Sequence, residues 1–173
     1  DNTNAWTEIY RPYAFEKNKN QLSPTDYWQT LWKDYQNKEN KSLYLKTGNG
    51  PAYEKSVVND TTYIDGLLAQ KVIRDLRKLK NSHKPFFLTA GFISNHLPFN
   101  APKKYWDKYP KESIKQPNNN FPQKNIPQIA LGNFHELRAY SNIPNKGNID
   151  NDTATNLIHG YYATVSYVDA LIG

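Results

Sequence analysis

Residues 62–92 read TYIDGLLAQKVIRDLRKLKNSHKPFFLTAGF, and this stretch holds the pattern that decides the fold. Its first part predicts a helix of about five turns, because apolar residues recur every three or four positions. Thr62 and Asp65 resemble a capping box at the start of that helix, and basic residues in its last two turns complement the helix dipole. The apolar positions are Ile64, Leu68, Val72, Leu76 and Leu79.

The second part of the stretch, residues 86–92, is a nearly continuous apolar run of strand length. A run without alternation predicts a strand that is covered on both faces, as in the parallel sheets of α/β proteins. The helix immediately before it has the position of a crossover connection. We therefore predict an α/β fold with a mixed, mostly parallel sheet flanked by helices.

Composition limits the class of protein. The chain has 173 residues, with 22 Lys and Arg against 16 Asp and Glu, and no Cys. This length suits one domain, and no apolar run approaches the roughly 18 residues of a membrane-spanning helix. The absence of Cys excludes disulfides and a Cys nucleophile within these residues. The scattered positive charge favours a solvated surface over a dedicated nucleic-acid face, and its residual field favours an anionic substrate.

The two ends of the chain suggest an internal section of a longer protein. The chain contains no Met, and its last amphipathic helix, from about residue 153, reaches Gly173. We therefore expect the chain to be inactive alone. A second amphipathic helix is predicted over 24–35, where docking onto a larger body is favoured over sugar stacking. The predicted apolar face of the last helix comprises Leu157, Ile158, Tyr161, Tyr162, Val165, Val168 and Ile172.

The region after residue 92 is rich in proline, and seven of the eleven prolines fall between Pro98 and Pro144. A short helix is predicted from Pro102 to a stop at Pro110. The remainder is a long loop, which we expect to pack down because it carries scattered large apolar residues. These residues are Phe121, Ile126, Ile129, Leu131, Phe134 and Leu137.

His96 is the first titratable residue after the predicted strand. Ligands of open α/β sheets bind beyond the carboxyl ends of strands, so this position favours a functional imidazole over a structural one. For His83, His135 and His159 we expect structural or surface roles. No phosphate-binding glycine loop, nucleophile elbow or metal-ligand spacing is present in the sequence.

Residues 84–110, KPFFLTAGFISNHLPFNAPKKYWDKYP, resemble the central segment of sulfatases, specifically the iduronate 2-sulfatase-like branch. Shorter stretches are similar as well: GPAYE at 50–54, the YIDG motif at 63–66, ELRAY at 136–140 and GYYATVSYVDALIG at 160–173. The resemblance implies that residues 1–173 are the central part of one sulfatase catalytic domain. Residues 1–49 would be a variable, loop-rich region and residues 50–173 the family-like block.

The resemblance further implies an alkaline-phosphatase-like fold, incomplete in this chain, and hydrolysis of a sulfate ester. It implies a calcium ion and a formylglycine nucleophile made from Cys or Ser, with the metal ligands and the nucleophile outside this chain. His96 matches the family histidine that contacts the sulfate, so it is the predicted catalytic residue. An exported compartment, either periplasmic, secreted or lysosome-like, is also implied.

Substrate contacts are predicted for His96, Asn95, Lys103 and Lys104, and no metal ligand is predicted. Relatives commonly carry a basic residue where this chain has Ser94, so we expect a sulfated carbohydrate without naming iduronate. Nucleic-acid and membrane partners are not expected. Two alternatives stay open: a phosphohydrolase or phosphodiesterase of the same superfamily, and a non-catalytic protein that binds an anionic glycan.

Overall fold

A computed structural model describes residues 6–8, 35–119, 121, 124–132 and 135–173. The predicted helix over 24–35 lies outside these ranges except for Tyr35. No helix within them is long and apolar enough to cross a membrane. In chain order, the elements are α1 (Lys38–Thr47), β1 (Tyr53–Ser56), α2 (Ile64–Lys80), β2 (Phe99–Pro102), α3 (Lys103–Trp106), 3₁₀ turns at Lys111–Ser113 and Gln128–Ala130, α4 (His135–Arg138) and α5 (Asn151–Ile172).

Two short strands form a parallel pair, with α2 between them along the chain. The register aligns Tyr53 with Phe99 and Ser56 with Pro102. A parallel pair needs a crossover connection, and α2 provides it. The predicted α/β class, with a parallel sheet flanked by helices, is confirmed.

Helix α1 was not predicted, because the sequence analysis interpreted this region as loop. Its local signals are nevertheless clear in the structure. The Asn37 side chain accepts from the backbone N–H groups of Glu39 and Asn40, which is the usual N-cap arrangement. Gly48, at φ 74°, ends the helix in the left-handed conformation, where glycine carries no Cβ penalty.

Glu54, in β1, connects α1 to the start of α2. Its side chain is buried and accepts four hydrogen bonds. The donors are the backbone N–H groups of Gln36 at 2.7 Å and Asn37 at 3.1 Å, Asn40 Nδ2 at 2.9 Å and the Tyr63 hydroxyl at 2.8 Å. Four donors around one carboxylate satisfy its charge in the interior. The order of the N-terminal part of the described chain therefore depends on one acidic residue.

Helix α2 forms as predicted, but the predicted capping box is wrong. Tyr63 occupies the N-cap position and makes no side-chain cap. The Thr62 hydroxyl donates instead to the Asn59 side chain at 3.0 Å. The Asp65 carboxylate points away from its own helix and accepts from the backbone N–H groups of Ile93 and Ser94.

The predicted strand over 86–92 is wrong for this structure, in which residues 85–93 have no regular secondary structure. Phe86 and Phe87 are 50% and 81% exposed. A strand needs a neighbour for its backbone groups, and in the described sheet β1 pairs with Phe99–Pro102. Residues 82–91 instead form one side of a groove of about 710 Å³ whose other side is the apolar stripe of α2.

The main core lies where α5 packs on β2 and α3. Large rings surround small residues there: Tyr63, Ala101, Tyr105, Trp106, Ala163 and Tyr167. Gly160 allows this approach, because a Cβ at that position would lie 2.9 Å from Phe99 and from Trp106. Close packing of this kind leaves no room for a larger side chain.

The predicted apolar face of α5 is largely incorrect. Tyr161, Tyr162, Val165 and Ile172 are exposed, because the helix turns its smaller residues toward β2 and α3. The start of this helix was predicted within a few residues, and Asp150 caps it by accepting from the Thr153 backbone N–H at 2.8 Å. The buried face consists of His159, Gly160, Ala163, Thr164 and Tyr167.

Among the described residues, the proline-rich loop packs down in part, with Ile126 half-buried. Phe121, Ile129 and Leu131 are exposed, so the expectation that they are buried is wrong, and Phe134 lies outside the described residues. Leu137 behaves as expected, since it packs against a second small core. That core consists of Ala52, Tyr140 and Ile143.

Candidate active site

His96 lies in the loop 93–98, which leads into β2. The loop encloses a cavity of about 30 Å³ against the first turn of α2. This volume holds about two water molecules, so a sugar ring cannot enter it and would have to lie outside. The cavity is lined by Tyr63, Ile64, Asp65, Ile93, Ser94, His96, Leu97, Pro98 and Asn100.

The route by which His96 reaches this place differs from the prediction. The residue was expected at the carboxyl end of a buried strand. In the structure it precedes β2 and therefore lies near the amino end of the described parallel pair. The imidazole is nonetheless at a concave surface and is not packed into the interior, because 41% of its side chain is exposed.

Asp65 holds the backbone of this loop. Its Oδ1 accepts from the Ile93 N–H at 2.8 Å and its Oδ2 from the Ser94 N–H at 2.9 Å. The residue is only 2% exposed, and hydrogen bonds to an ionised acceptor are stronger than neutral ones. The His96 N–H donates in turn to the Ile93 carbonyl at 2.9 Å. Hydrogen bonds therefore hold the backbone of residues 93–96, from which the His96 side chain extends.

Two acceptors face the nitrogens of the His96 ring. Nδ1 lies 2.7 Å from the Leu97 carbonyl oxygen, and Nε2 lies 3.2 Å from Glu136 Oε1, on α4. A carbonyl oxygen only accepts, so Nδ1 carries a hydrogen in this contact. When Nε2 also carries one, it can donate to Glu136 or to another anion in its place. The ring thus donates through Nδ1 to the Leu97 carbonyl and turns Nε2 toward Glu136 on its exposed side.

The two predicted basic contacts are engaged in ion pairs. Lys104 Nζ donates to Asp60 at 2.7 Å, and this hydrogen bond raises the pKa of Lys104. Lys103 donates to Asp107, which also pairs with Lys55 at 2.8 Å. These two lysines lower the pKa of Asp107. Both predicted lysines keep about half of their side chains exposed.

The structure brings His96 to the cavity but leaves the other three predicted substrate contacts outside it. Asn95 is exposed and is not part of the cavity wall. Lys103 and Lys104 lie on α3, beyond β2, and do not line the cavity either. Their assignment as substrate-binding residues stays a prediction.

The remaining histidines have the environments that were expected of them. His159 is buried, and its Nε2 donates to the Trp106 carbonyl at 2.8 Å with the two rings 4.9 Å apart. His83 and His135 are exposed. The sequence argument that separated His96 from these three therefore agrees with their surroundings.

Asp65 and Glu136, which surround His96 in the structure, were not predicted to do so. Both occur in stretches that resemble the family, the YIDG motif and ELRAY, but neither was linked to His96. Asp65 was assigned to a cap because of its spacing from Thr62. A contact that joins residues far apart in the chain leaves no local spacing to detect, so only the structure connects them to His96.

Within the described ranges no group of three or more His, Cys, Asp and Glu side chains could hold a metal ion. The described residues therefore supply no calcium site of their own, and the prediction that calcium is held by ligands outside this chain stays a prediction.

Two parallel strands joined by α2 define an α/β protein, and His96 lies in a loop whose backbone Asp65 holds. A family model described as sulfatase matches residues 7–173. The chain belongs to the sulfatase family.

Curated relatives agree with this family. The chain is 30% identical over 122 residues to iduronate 2-sulfatase from Mus musculus, covering 67% of this chain and 22% of the relative. It is 30% identical over 123 residues to iduronate 2-sulfatase from Homo sapiens, with the same coverage. A sulfatase from Formosa agariphila is 34% identical over 96 residues, covering 54% of this chain and 18% of the relative. The chain thus spans about a fifth of the length of these relatives.

Proposed function

We propose that this chain is the part of a sulfatase that carries the sulfate-contacting histidine, and that the complete protein hydrolyses sulfate esters of a carbohydrate. The observation that supports this most is the exposed imidazole of His96, held as a donor at the rim of a cavity in a chain of this family. Because two relatives are named iduronate 2-sulfatase, substrates of the iduronate 2-sulfatase-like branch are the first to test.

The proposed role of His96 follows from the charges of the reaction. Hydrolysis breaks the bond between sulfur and the ester oxygen, and the alcohol leaves with a proton while the oxygen of water ends on sulfur. Negative charge develops on the leaving oxygen and is spread over the sulfate oxygens. An N–H at Nε2 can stabilise that charge or supply the proton.

Glu136 is proposed to take the place of the substrate when the site is empty. Its carboxylate lies 3.2 Å from Nε2 and is about half exposed, so the contact is accessible to solvent and easily exchanged. A sulfate group that replaces it offers the same hydrogen-bond acceptors to the same nitrogen. Asn95, Lys103 and Lys104 are proposed as further contacts to the substrate outside the cavity.

The calcium ion and the formylglycine nucleophile remain part of this proposal as groups held by residues other than those described. An exported location of the complete protein is also part of this proposal.

The test is the activity of the complete protein that contains this chain. Replacing His96 by Ala is expected to lower kcat/KM for a sulfated sugar by about 100-fold or more, the scale of losing one positioned acid or donor. Release of inorganic sulfate is the measurement. The control is His83→Asn, because His83 is exposed and asparagine tolerates its positive φ of 52°. Unchanged kcat/KM for His96→Ala would contradict the role of His96.

The same assay separates the two alternatives. Faster release of phosphate from 4-nitrophenyl phosphate than of sulfate from 4-nitrophenyl sulfate would select a phosphohydrolase. Binding of a sulfated glycan with no release of sulfate would select a non-catalytic binding protein. Membership of the sulfatase family favours sulfate-ester hydrolysis over phosphate-ester hydrolysis and over binding without catalysis.

A further inference from the structure

Asp65 is a buried carboxylate for which the proposed chemistry has no direct use. It does not touch the exposed side of His96, and it does not cap its own helix. Both of its oxygens accept hydrogen bonds from the backbone of another segment, the N–H groups of Ile93 and Ser94. A buried charge costs free energy unless it is well paired, so its presence at this point calls for a reason.

The carboxylate is itself fixed by its neighbours. Gly66 follows it, and a Cβ on Gly66 would lie 1.7 Å from the Asp60 carbonyl oxygen and 2.7 Å from the Tyr167 hydroxyl. Tyr167 donates to that same carbonyl at 2.6 Å. Just before Asp65, the Tyr63 hydroxyl donates to the buried Glu54. The first turn of α2 is therefore held against β1 and α5, and Asp65 has little freedom to move.

A carboxylate with this support can set the position of what it holds. The Ser94 N–H lies only two residues before His96, and the His96 N–H closes the turn on the Ile93 carbonyl. A displacement of this turn would move the ring away from the place where charge develops. Misplacing a reacting group by about 1 Å costs on the order of 100-fold in rate.

We propose that Asp65 is a positioning residue for His96, acting through the backbone of residues 93 and 94. This proposal rests on the proposed function, since it assumes that His96 serves turnover. Asp65 acts through the loop and does not contact the substrate. The side chain that aims the imidazole thus belongs to the YIDG motif at the start of α2.

The central variant is Asp65→Asn in the complete protein, assayed with 4-nitrophenyl sulfate. Asparagine keeps the shape but offers one acceptor oxygen, so one of the two N–H groups meets an NH₂ donor instead. We expect kcat to fall by about 10- to 100-fold, with KM changed much less. Asp75→Asn is the matched control, because Asp75 lies on the same helix and pairs with Lys71 without contacting the loop.

A double-mutant cycle with His96→Ala distinguishes positioning of His96 from a general structural role, because only positioning makes the loss of activity in Asp65→Asn depend on the imidazole. If Asp65 acts through His96, adding Asp65→Asn to His96→Ala lowers kcat/KM by less than about twofold further. An undiminished loss in that background would overturn the proposal, as would full activity of a folded Asp65→Asn protein. Unchanged activity of His96→Ala alone would instead refute the proposed function, and with it any positioning of His96.

A second variant covers the case in which Asp65→Asn does not fold. Asp65→Glu keeps the charge and both acceptor oxygens but adds one methylene, which displaces the loop while preserving its hydrogen bonds. We expect the same dependence on His96 in the cycle. Equal losses with and without the imidazole would overturn the proposal here as well.

Discussion

The start and the end of α2 differ in burial: the start, here called the anchored side, is enclosed, and the later turns, the open side, line an exposed groove. At its start, large rings and buried carboxylates are enclosed by β1, β2 and α5, and every acidic oxygen of Glu54 and Asp65 has a donor. Toward its end, the apolar stripe and the segment 85–91 form an open groove in which Phe87 is mostly exposed. Both parts carry large apolar residues, so the presence of such residues does not decide which part is buried. Burial depends on which elements the rest of the molecule brings against each part.

The strongest way to break the anchored side is to remove Glu54. Glu54→Ala leaves four donors without their acceptor, and each unsatisfied buried group is costly, so we expect a loss of about 3 kcal/mol in the free energy of unfolding. Urea denaturation measures it. Glu39→Ala, an exposed residue on α1, is the control and should change stability by less than about 0.5 kcal/mol. Similar losses for the two variants would show that the network around Glu54 is not formed.

A smaller loss is expected from Gly66→Ala. The added Cβ meets backbone, the Asp60 carbonyl oxygen, so α2 has to shift. We expect a cost of about 2 kcal/mol, within the range for overpacking. Gly132→Ala is the comparison, since none of the described residues lies within 4 Å of its Cβ position. Thermal unfolding of both variants tests the contrast, and equal transition temperatures would mean that the start of α2 is looser than described.

The smallest effect is expected on the open side. Phe87→Ala should cost less than about 1 kcal/mol, because an exposed side chain loses little when it is truncated. Among the described residues its ring stacks on Trp6, with the ring centroids 6.1 Å apart. A loss of several kcal/mol in the complete protein would show that another part of that protein covers the groove.

The sequence predicted those elements whose signal is local. Helix α2 was found because its periodic pattern is long, α3 because Pro102 and Pro110 bound it, and α5 because its apolar residues recur at helical spacing. The α/β class followed from placing a helix immediately before a strand, although the strand that was chosen was wrong. β1 and β2 are only four residues long and include Glu54, Lys55 and Asn100, so they lack the apolar run that marks a buried strand.

The candidate site was predictable only in part. His96 lies at a concave, exposed position, as expected, and its role in catalysis stays a prediction. Its contacts with Asp65 through the loop and with Glu136 were not foreseen. The choice of face on α5 failed for a related reason. Large apolar residues were assigned to the core, whereas close approach to Trp106 and Phe99 requires a glycine and an alanine.

The YIDG motif has three neighbouring residues that bind in three directions: Tyr63 to β1, Asp65 to the histidine loop and Gly66 to the chain before α2 and to α5. An α-helix turns by roughly 100° per residue. Inserting one residue between Ile64 and Asp65 would therefore turn Asp65 and Gly66 by about that angle relative to Tyr63, so that the partners of all three could not be met together. The spacing of these residues along the first turn of α2 is thus as constrained as their identities.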